Sequence, residues 1–420
     1  MKKTTLLFLL IFIVLSCGKK QEKTEVDTAD TLNVPTSPTD SAVILQKPII
    51  NVYLENSGSM DGYVKGNTGF EQAVYSYLSD VKISDITDSL NLFYINSKVI
   101  PQGGDIEDFI DKLEPASFKA KGGNRSESDI SDVIKSALSA INDSTISILI
   151  SDFIFSPGSN KKAVEYLTNQ QIGIKSAFAE SLKRNNLAVI VYQLTSEFSG
   201  QYYNMENKPT QINDKRPFYI LITGNLIHLK NLIQKVDVKK MKGSGVENTY
   251  TAMKKQQSIN FGIIKDHRIG SFEQISNTQI KKAKADKGNG FQFSFGTDFS
   301  SFIIDNSYLT NKLNYKVSDP NYSVEIVNSN MKISDNLHYT QVVKLNTKQN
   351  IITSTNIKVQ LMNRLPNWIE DMNDEDGIDI LSPGAMSKTY GIKYSLGGIF
   401  DAFTMQDSTY AEFNISILNK

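Results

Sequence analysis

Short apolar runs alternate with segments of helical spacing through the first half of the chain. Each run is rich in Val, Ile and Leu and has the length of a strand buried on both faces. Between the runs, apolar residues recur every three or four positions, which predicts amphipathic helices. The predicted strands are 49–55, 90–100, 146–150, 187–194 and 218–223, and the predicted helices are 70–81, 106–113, 130–141, 174–182 and 226–236. This alternation predicts an α/β doubly wound, Rossmann-like domain over 47–237 with a mostly parallel sheet.

From residue 290 to residue 420 the apolar pattern has period two. Phe291, Phe293 and Phe295 alternate with polar residues, and similar stretches recur up to the C terminus. Short alternating strands separated by turn clusters predict a C-terminal antiparallel β-sandwich. An insert around Trp368 interrupts these strands and is interpreted as a lid packed on the sandwich, followed by a short helix over 392–403.

The stretch 238–289 between these two parts is rich in lysine. We interpret it as a solvated linker or a long surface excursion. The alternative is a patch for an acidic partner or a polysaccharide.

The N terminus has the pattern of an export signal. Lys2 and Lys3 precede an unbroken apolar run over 6–15, which is too short to span a bilayer. The run ends in Val-Leu-Ser-Cys-Gly, which resembles a bacterial lipoprotein processing box. The resemblance implies removal of the signal peptide 1–16 and lipidation of Cys17, and the alternative is an ordinary signal peptide with an incidental cysteine. Residues 17–46 are rich in Thr, Ser, Asp and Lys, and we expect them to form a flexible tether.

Composition excludes several classes of function. The chain has 45 Lys and Arg against 45 Asp and Glu, so it lacks the basic excess of a nucleic-acid-binding protein. Cys17 is its one cysteine, which excludes a disulfide framework and a thiolate zinc site. The three histidines His228, His267 and His338 are far apart in sequence, which argues against a histidine metal centre.

Hydroxyl and carboxyl side chains follow two of the predicted strands. The first strand ends in Glu55-Asn56-Ser57-Gly58-Ser59, and the strand 146–150 is followed by Asp152. A Gly-rich loop with Ser126 and Ser128 precedes the helix that begins near residue 130. Because ligands bind at the carboxyl ends of strands in such sheets, we expect these side chains to share one site.

These segments resemble the three parts of the metal-ion-dependent adhesion site in the von Willebrand factor A family. By spacing, Ser128 takes the place of the family's loop threonine, with Ser126 as second choice, and Glu55 stands where the family has Asp. The resemblance covers roughly 47–236 and implies a metal site of Glu55, Ser57, Ser59, Ser128 and Asp152. All five are hard oxygen donors, which suit Mg²⁺ or Mn²⁺. The alternatives are a decayed site on a scaffold and a plain Ser-Gly-Ser turn, and we expect the neighbouring Asp61 to be solvated.

The predicted function is that of an envelope lipoprotein anchored through Cys17, most simply in the outer membrane of a Gram-negative bacterium, with the membrane face undecided. Its partner is a protein that presents an acidic group to the metal, as the resemblance implies, and not a nucleic acid. A structural or assembly protein with a metal-free site is the alternative. A hydrolase is a remote alternative, because no serine has a nearby histidine arranged for nucleophilic catalysis, and we therefore expect no enzyme.

Overall fold

The structure is a computed structural model that describes residues 46–126, 129–155, 163–334 and 337–419. The signal peptide 1–16, Cys17 and the tether up to residue 45 lie outside the described residues. From Gln46 onward the chain forms one unit. No helix among the described residues is both long and apolar enough to cross a bilayer.

The first half of the chain forms a seven-stranded sheet with helices on both faces. Its strands are β1 (Ile49–Glu55), β2 (Ser89–Ile95), β3 (Val99–Gln102), β4 (Thr145–Ser151), β5 (Leu187–Tyr203), β6 (Pro209–Asn225) and β7 (Val246–Met253). Its helices are α1 (Gly69–Ile83), α2 (Ile106–Asp111), α3 (Pro115–Lys119), α4 (Ile130–Ser139), α5 (Ala163–Arg184) and α6 (Leu226–Lys235). The predicted α/β architecture is confirmed at this level.

The sheet is mixed, so the prediction of a mostly parallel sheet is wrong. The strand order is β3-β2-β1-β4-β6-β5-β7, and only β2, β1 and β4 pair in parallel. β5 and β6 are joined by the short turn 204–208, which forces them to run antiparallel. The predicted strand 90–100 is likewise split into a β2–β3 hairpin at the polar residues 96–98.

Alternate residues of each strand point to opposite faces of the sheet, and each face packs into its own hydrophobic core. On β1, Ile50, Val52 and Leu54 pack with α1, α2 and α6, whereas Tyr53 packs with α4 and α5 on the opposite face. All four side chains are buried, as the unbroken apolar run predicts. The carboxyl ends of β1 and β4 therefore lie between two layers of helices.

The first turn of α1 contains an acidic residue, Glu71, whose titration makes stability depend on pH. The Thr68 hydroxyl accepts a hydrogen bond from the Glu71 N–H at 3.3 Å. Burial raises the pKa of Glu71 from 4.5 to about 7. The folded state thus binds more protons than the unfolded chain between about pH 4.5 and pH 7. The stability that this group contributes is present below pH 4.5 and is lost as the pH rises through 7.

We therefore expect Glu71→Gln to stabilise the protein by about 1 kcal/mol at pH 8 and to have little effect near pH 4. Urea denaturation at the two pH values measures this difference. The control is Glu165→Gln, which changes an exposed acid in the first turn of α5. Equal effects of Glu71→Gln at both pH values would contradict the assignment.

The second half of the chain adds two large sheets and one small sheet. Its strands and helices are β8 (Phe261–Ile269), β9 (Ser271–Ser276), β10 (Gln279–Lys284), β11 (Phe291–Thr297), α7 (Asn306–Thr310), β12 (Tyr315–Val317), β13 (Ser323–Ser334), β14 (Leu337–Thr347), β15 (Thr355–Met362), α8 (Asn367–Asp371), β16 (Asn373–Asp374), β17 (Thr389–Tyr390), α9 (Ile392–Thr404) and β18 (Thr409–Leu418). One sheet has the order β13-β14-β11-β8 and the other β12-β15-β18-β10-β9. In these two large sheets all neighbours are antiparallel except β10 and β18. The small sheet consists of β16 and β17, which pair in parallel.

The two sheets pack against each other through aromatic side chains. The rings of Phe295 on β11 and Phe413 on β18 lie 5.5 Å apart, and Phe261 on β8 lies 5.1 Å from Phe413. These contacts agree with the antiparallel sandwich that the period-two pattern predicts.

The interpretation of 238–289 as a linker or excursion is wrong. This stretch forms β7 at the edge of the seven-stranded sheet and β8, β9 and β10 in the two C-terminal sheets. On β10, Ile280 and Ala283 are buried while the neighbouring lysines are exposed. A strand with only two buried apolar residues among lysines shows no recognisable period-two pattern.

The insert between β15 and β18 returns to the seven-stranded sheet, so its interpretation as a lid on the sandwich is also wrong. Nε1 of Trp368 donates a hydrogen bond to the Thr249 carbonyl of β7 at 3.3 Å. The predicted helix near the end is confirmed as α9, which packs beside α5 on the face that also carries α4.

Candidate functional site

The carboxyl ends of β1 and β4 bring two predicted acidic residues together. The parallel register pairs Leu54 with Ile150, which sets Glu55 across from Ser151 and places Asp152 just beyond. Both carboxylates are buried, and only 1 % of Asp152 is exposed. Their proximity follows from strand pairing, which the sequence predicts.

Hydroxyl groups surround the two carboxylates. The Ser57 and Ser59 hydroxyls share a hydrogen bond at 2.9 Å. The Ser151 hydroxyl donates to Oε2 of Glu55 at 2.5 Å. The site thus has a cluster of hard oxygen atoms.

Asp152 has one oxygen that the described residues leave without a partner. Its Oδ1 accepts a hydrogen bond from the Ile154 N–H at 3.2 Å, but its buried Oδ2 accepts none from them. Burial raises the pKa of Asp152, and the nearby Ser59 hydroxyl, Ile154 N–H and Arg216 guanidinium oppose part of that rise. A buried carboxylate oxygen without a donor is costly unless a cation or another donor reaches it.

The site opens into a cleft of about 360 Å³. Glu55, Ser57, Ser59 and Ser126 line the cleft, and its other lining residues include Lys119, Arg125, Tyr203 and Asn207. A cleft of this volume is large enough for a side chain of a partner or a small molecule.

Arg125 fixes the backbone of the motif. Its Nε donates to the Asn56 carbonyl at 2.7 Å and its Nη2 to the Ser57 carbonyl at 3.0 Å. The same guanidinium pairs with Asp61, which also lies 3.5 Å from Nζ of Lys119. The expectation that Asp61 is solvated is therefore wrong, because it is a partner in this ion-pair cluster.

The structure brings four of the five predicted metal ligands to one place. Glu55, Ser57, Ser59 and Asp152 lie at the ends of β1 and β4. Ser128 lies outside the described residues. The second choice, Ser126, lines the cleft, and its hydroxyl donates to Oδ1 of Asn124 at 2.8 Å.

Three supporting residues were missed by the sequence reasoning. Nδ2 of Asn96 donates to Oδ1 of Asn56 at 2.7 Å, so the residue between Glu55 and Ser57 is held from β2. Arg125 lies in the Gly-rich loop, where its charge was the one available clue. Arg216 on β6 is buried and acts on Asp152 through its charge.

The hairpin of β5 and β6 supplies one wall of the cleft. β5 passes the helical turn at Ser59–Gly62 so closely that a Cβ on Gly200 would lie 2.7 Å from Cα of Gly62. Tyr203 at the end of β5 and Asn207 in the adjoining turn line the cleft. Only glycine at position 200 permits this approach.

Comparisons with protein-family models, curated proteins and solved structures gave no match for this chain. Within the described residues, no group of three or more His, Cys, Asp or Glu side chains is placed to hold a metal ion. The donor set described above has two carboxylates, and its other members are hydroxyls.

Proposed function

We propose that this protein is a lipid-anchored envelope protein whose von Willebrand factor A-like domain binds a protein partner through a divalent cation. The observation that carries the proposal is Oδ2 of Asp152, which is buried and makes no hydrogen bond of normal geometry with a described residue, although the Ser59 hydroxyl lies close enough to lower the pKa of this carboxyl. A cation at this point would satisfy that oxygen.

The residues present fit Mg²⁺ or Mn²⁺. Ser57, Ser59 and Asp152 would hold the cation, and Glu55 and the loop hydroxyl of Ser128 or Ser126 would complete the donor set. All are hard oxygen ligands, which these cations prefer. When bound, the cation supplies a coordination position for an acidic group of the partner. Arg125 holds the Asn56 and Ser57 carbonyls and so keeps the two serines in place.

The N-terminal pattern supports the anchorage. A signal peptide over 1–16 would be removed, Cys17 would carry the acyl chains, and residues 17–46 would tether the folded part to the outer membrane.

A structural or assembly role with a metal-free site is the second candidate. It is favoured by the hydrogen bond between the Ser57 and Ser59 hydroxyls and by the Ser151 hydroxyl on Glu55, since these bonds satisfy most donors without a cation. The two candidates differ in whether the protein binds Mg²⁺ at all.

Calorimetric titration of the full chain with Mg²⁺ and Mn²⁺ tests the proposal. We expect one site, and we expect Ser57→Ala to weaken it about tenfold because a ligand is lost. The control is Ser199→Ala, which removes a half-buried hydroxyl from β5 beside the neighbouring cleft. Absence of heat with either cation would favour the metal-free role.

A further inference from the structure

A second cleft, which we call the lysine groove, lies at the β9–β10 edge of the five-stranded sheet. It has a volume of about 760 Å³, roughly twice that of the cleft at the candidate site. Its lining includes Ile275, Lys281, Lys282, Lys284, Ile351 and Leu418. It shares no residue with the lining of the candidate site.

The groove lies where β10 and β18 cease to pair. Their parallel register continues to Lys281 and Leu418. Beyond this point the side chain of Asn419 joins the strands, since its Nδ2 donates to the Ala283 and Ile352 carbonyls, both at 2.7 Å. These bonds fix the walls of the groove, so its shape is part of the fold.

The lining is basic although the chain as a whole is neutral. It contains three lysines and no acidic residue, whereas the full sequence has equal numbers of acids and bases. Glu273 pairs with two of these lysines, Lys281 at 3.6 Å and Lys282 at 2.6 Å. Lys284 forms no ion pair with a described residue. A net positive charge therefore remains at the groove.

Large aliphatic side chains are exposed at the same place. Ile351 is 79 % exposed, and Ile275 and Leu418 are each 46 % exposed. Single exposed aliphatic residues are common, but three that line one groove form a patch that indicates a binding surface. The combination of lysines with exposed aliphatic residues is typical of surfaces that bind anionic membranes.

We infer that the lysine groove binds the surface of an anionic lipid bilayer, with the lysines at the headgroups and the aliphatic side chains at the acyl boundary. This inference rests on the proposed anchor at Cys17 for its choice of a bilayer over a soluble acidic partner. A flexible tether of the predicted length has an end-to-end distance of about 30 Å. The anchor would therefore raise the effective concentration of bilayer surface around the folded unit, so that a weak affinity of the groove suffices.

Vesicle co-sedimentation tests the inference. The protein is the chain from residue 17 onward with Cys17→Ser, so that no acyl chain contributes, and the folded unit from Gln46 is intact. We expect it to bind vesicles of phosphatidylglycerol mixed with phosphatidylcholine and not vesicles of phosphatidylcholine alone. The triple variant Lys281→Glu, Lys282→Glu, Lys284→Glu should bind at least about tenfold more weakly, because each lysine near an anionic surface contributes several-fold to the affinity.

A matched variant controls for net charge. The triple variant Lys239→Glu, Lys240→Glu, Lys242→Glu changes three exposed lysines outside the groove by the same total charge. It should retain wild-type binding, whereas Ile351→Glu should lose most of it. Equal loss in both triple variants would overturn the inference, and so would unchanged binding of Ile351→Glu.

The outcomes are separate from those of the proposed function. If the protein bound soluble poly-glutamate but no vesicles, the groove would be assigned to an acidic protein and the inference would be wrong. We expect the lysine-groove variants to bind Mg²⁺ with wild-type affinity. Failure of vesicle binding would then overturn the inference without bearing on the proposed cation site.

Discussion

Replacing Asp152 by asparagine should weaken Mg²⁺ binding at least about 100-fold and raise the melting temperature of the cation-free protein. The affinity falls because the substitution removes a buried anionic oxygen from the donor set. The melting temperature rises because an amide of the same shape can accept the Ile154 hydrogen bond without the cost of a buried charge. Lost affinity together with gained stability is the result expected of a buried charge that serves a ligand and not the fold.

Calorimetry measures the affinity, and thermal unfolding with and without Mg²⁺ measures the stability. Asp61→Asn is the matched control, since Asp61 lines the same cleft but is paired with Arg125 and Lys119. It should leave the Mg²⁺ affinity within about fivefold of wild type, because no direct bond to the cation is lost. Wild-type Mg²⁺ binding by Asp152→Asn would refute the metal site.

A second large effect is expected on stability. Arg216→Met should lower the free energy of unfolding by about 3 kcal/mol, because three main-chain carbonyls lose their donor and the buried site is repacked. Nη1 of Arg216 donates to the carbonyls of Ala385, Met386 and Lys388 at 3.3, 3.0 and 2.9 Å. The guanidinium also stacks on Tyr202 at 4.8 Å. Only 1 % of the residue is exposed.

Chemical denaturation of the full chain measures this loss. Arg364→Met changes an exposed arginine and should alter the free energy of unfolding by less than about 0.5 kcal/mol. A loss below about 1 kcal/mol for Arg216→Met would show that the carbonyls find other donors.

Arg216 also connects the candidate site with the insert between β15 and β18. Its charge acts on Asp152, while its hydrogen bonds hold residues 385–388. Earlier in the insert, the Gly377 carbonyl accepts a hydrogen bond from the N–H of Met205, which lies in the turn next to the cleft, at 2.8 Å. The insert therefore supports the cleft from outside the sheet.

The sequence predicted the position of the site because it depends on local patterns. β1 and β4 are buried parallel strands, which appear as apolar runs that end where polar residues begin. The observed bounds of β1 are those predicted, and Asp152 follows β4 as expected. Adjacent parallel strands bring their carboxyl ends to one edge, so Glu55, Ser57, Ser59 and Asp152 could be placed together before any coordinates.

Other features of the fold and the site could not be predicted, because they depend on contacts between segments that are distant in sequence. The outer parts of β5 and β6, 195–203 and 209–217, are mostly polar and show neither an apolar run nor a regular alternation, so the antiparallel hairpin was missed. The lysine-rich strand β10 has too few buried positions to show a period. Arginine is usually exposed, so the sequence gives no sign that Arg216 is buried. Its burial depends on carbonyls that lie more than 160 residues further along the chain. Local patterning therefore determined where the candidate ligands lie, whereas long-range packing determined the strand order of the sheet, the cleft wall and the support of Asp152.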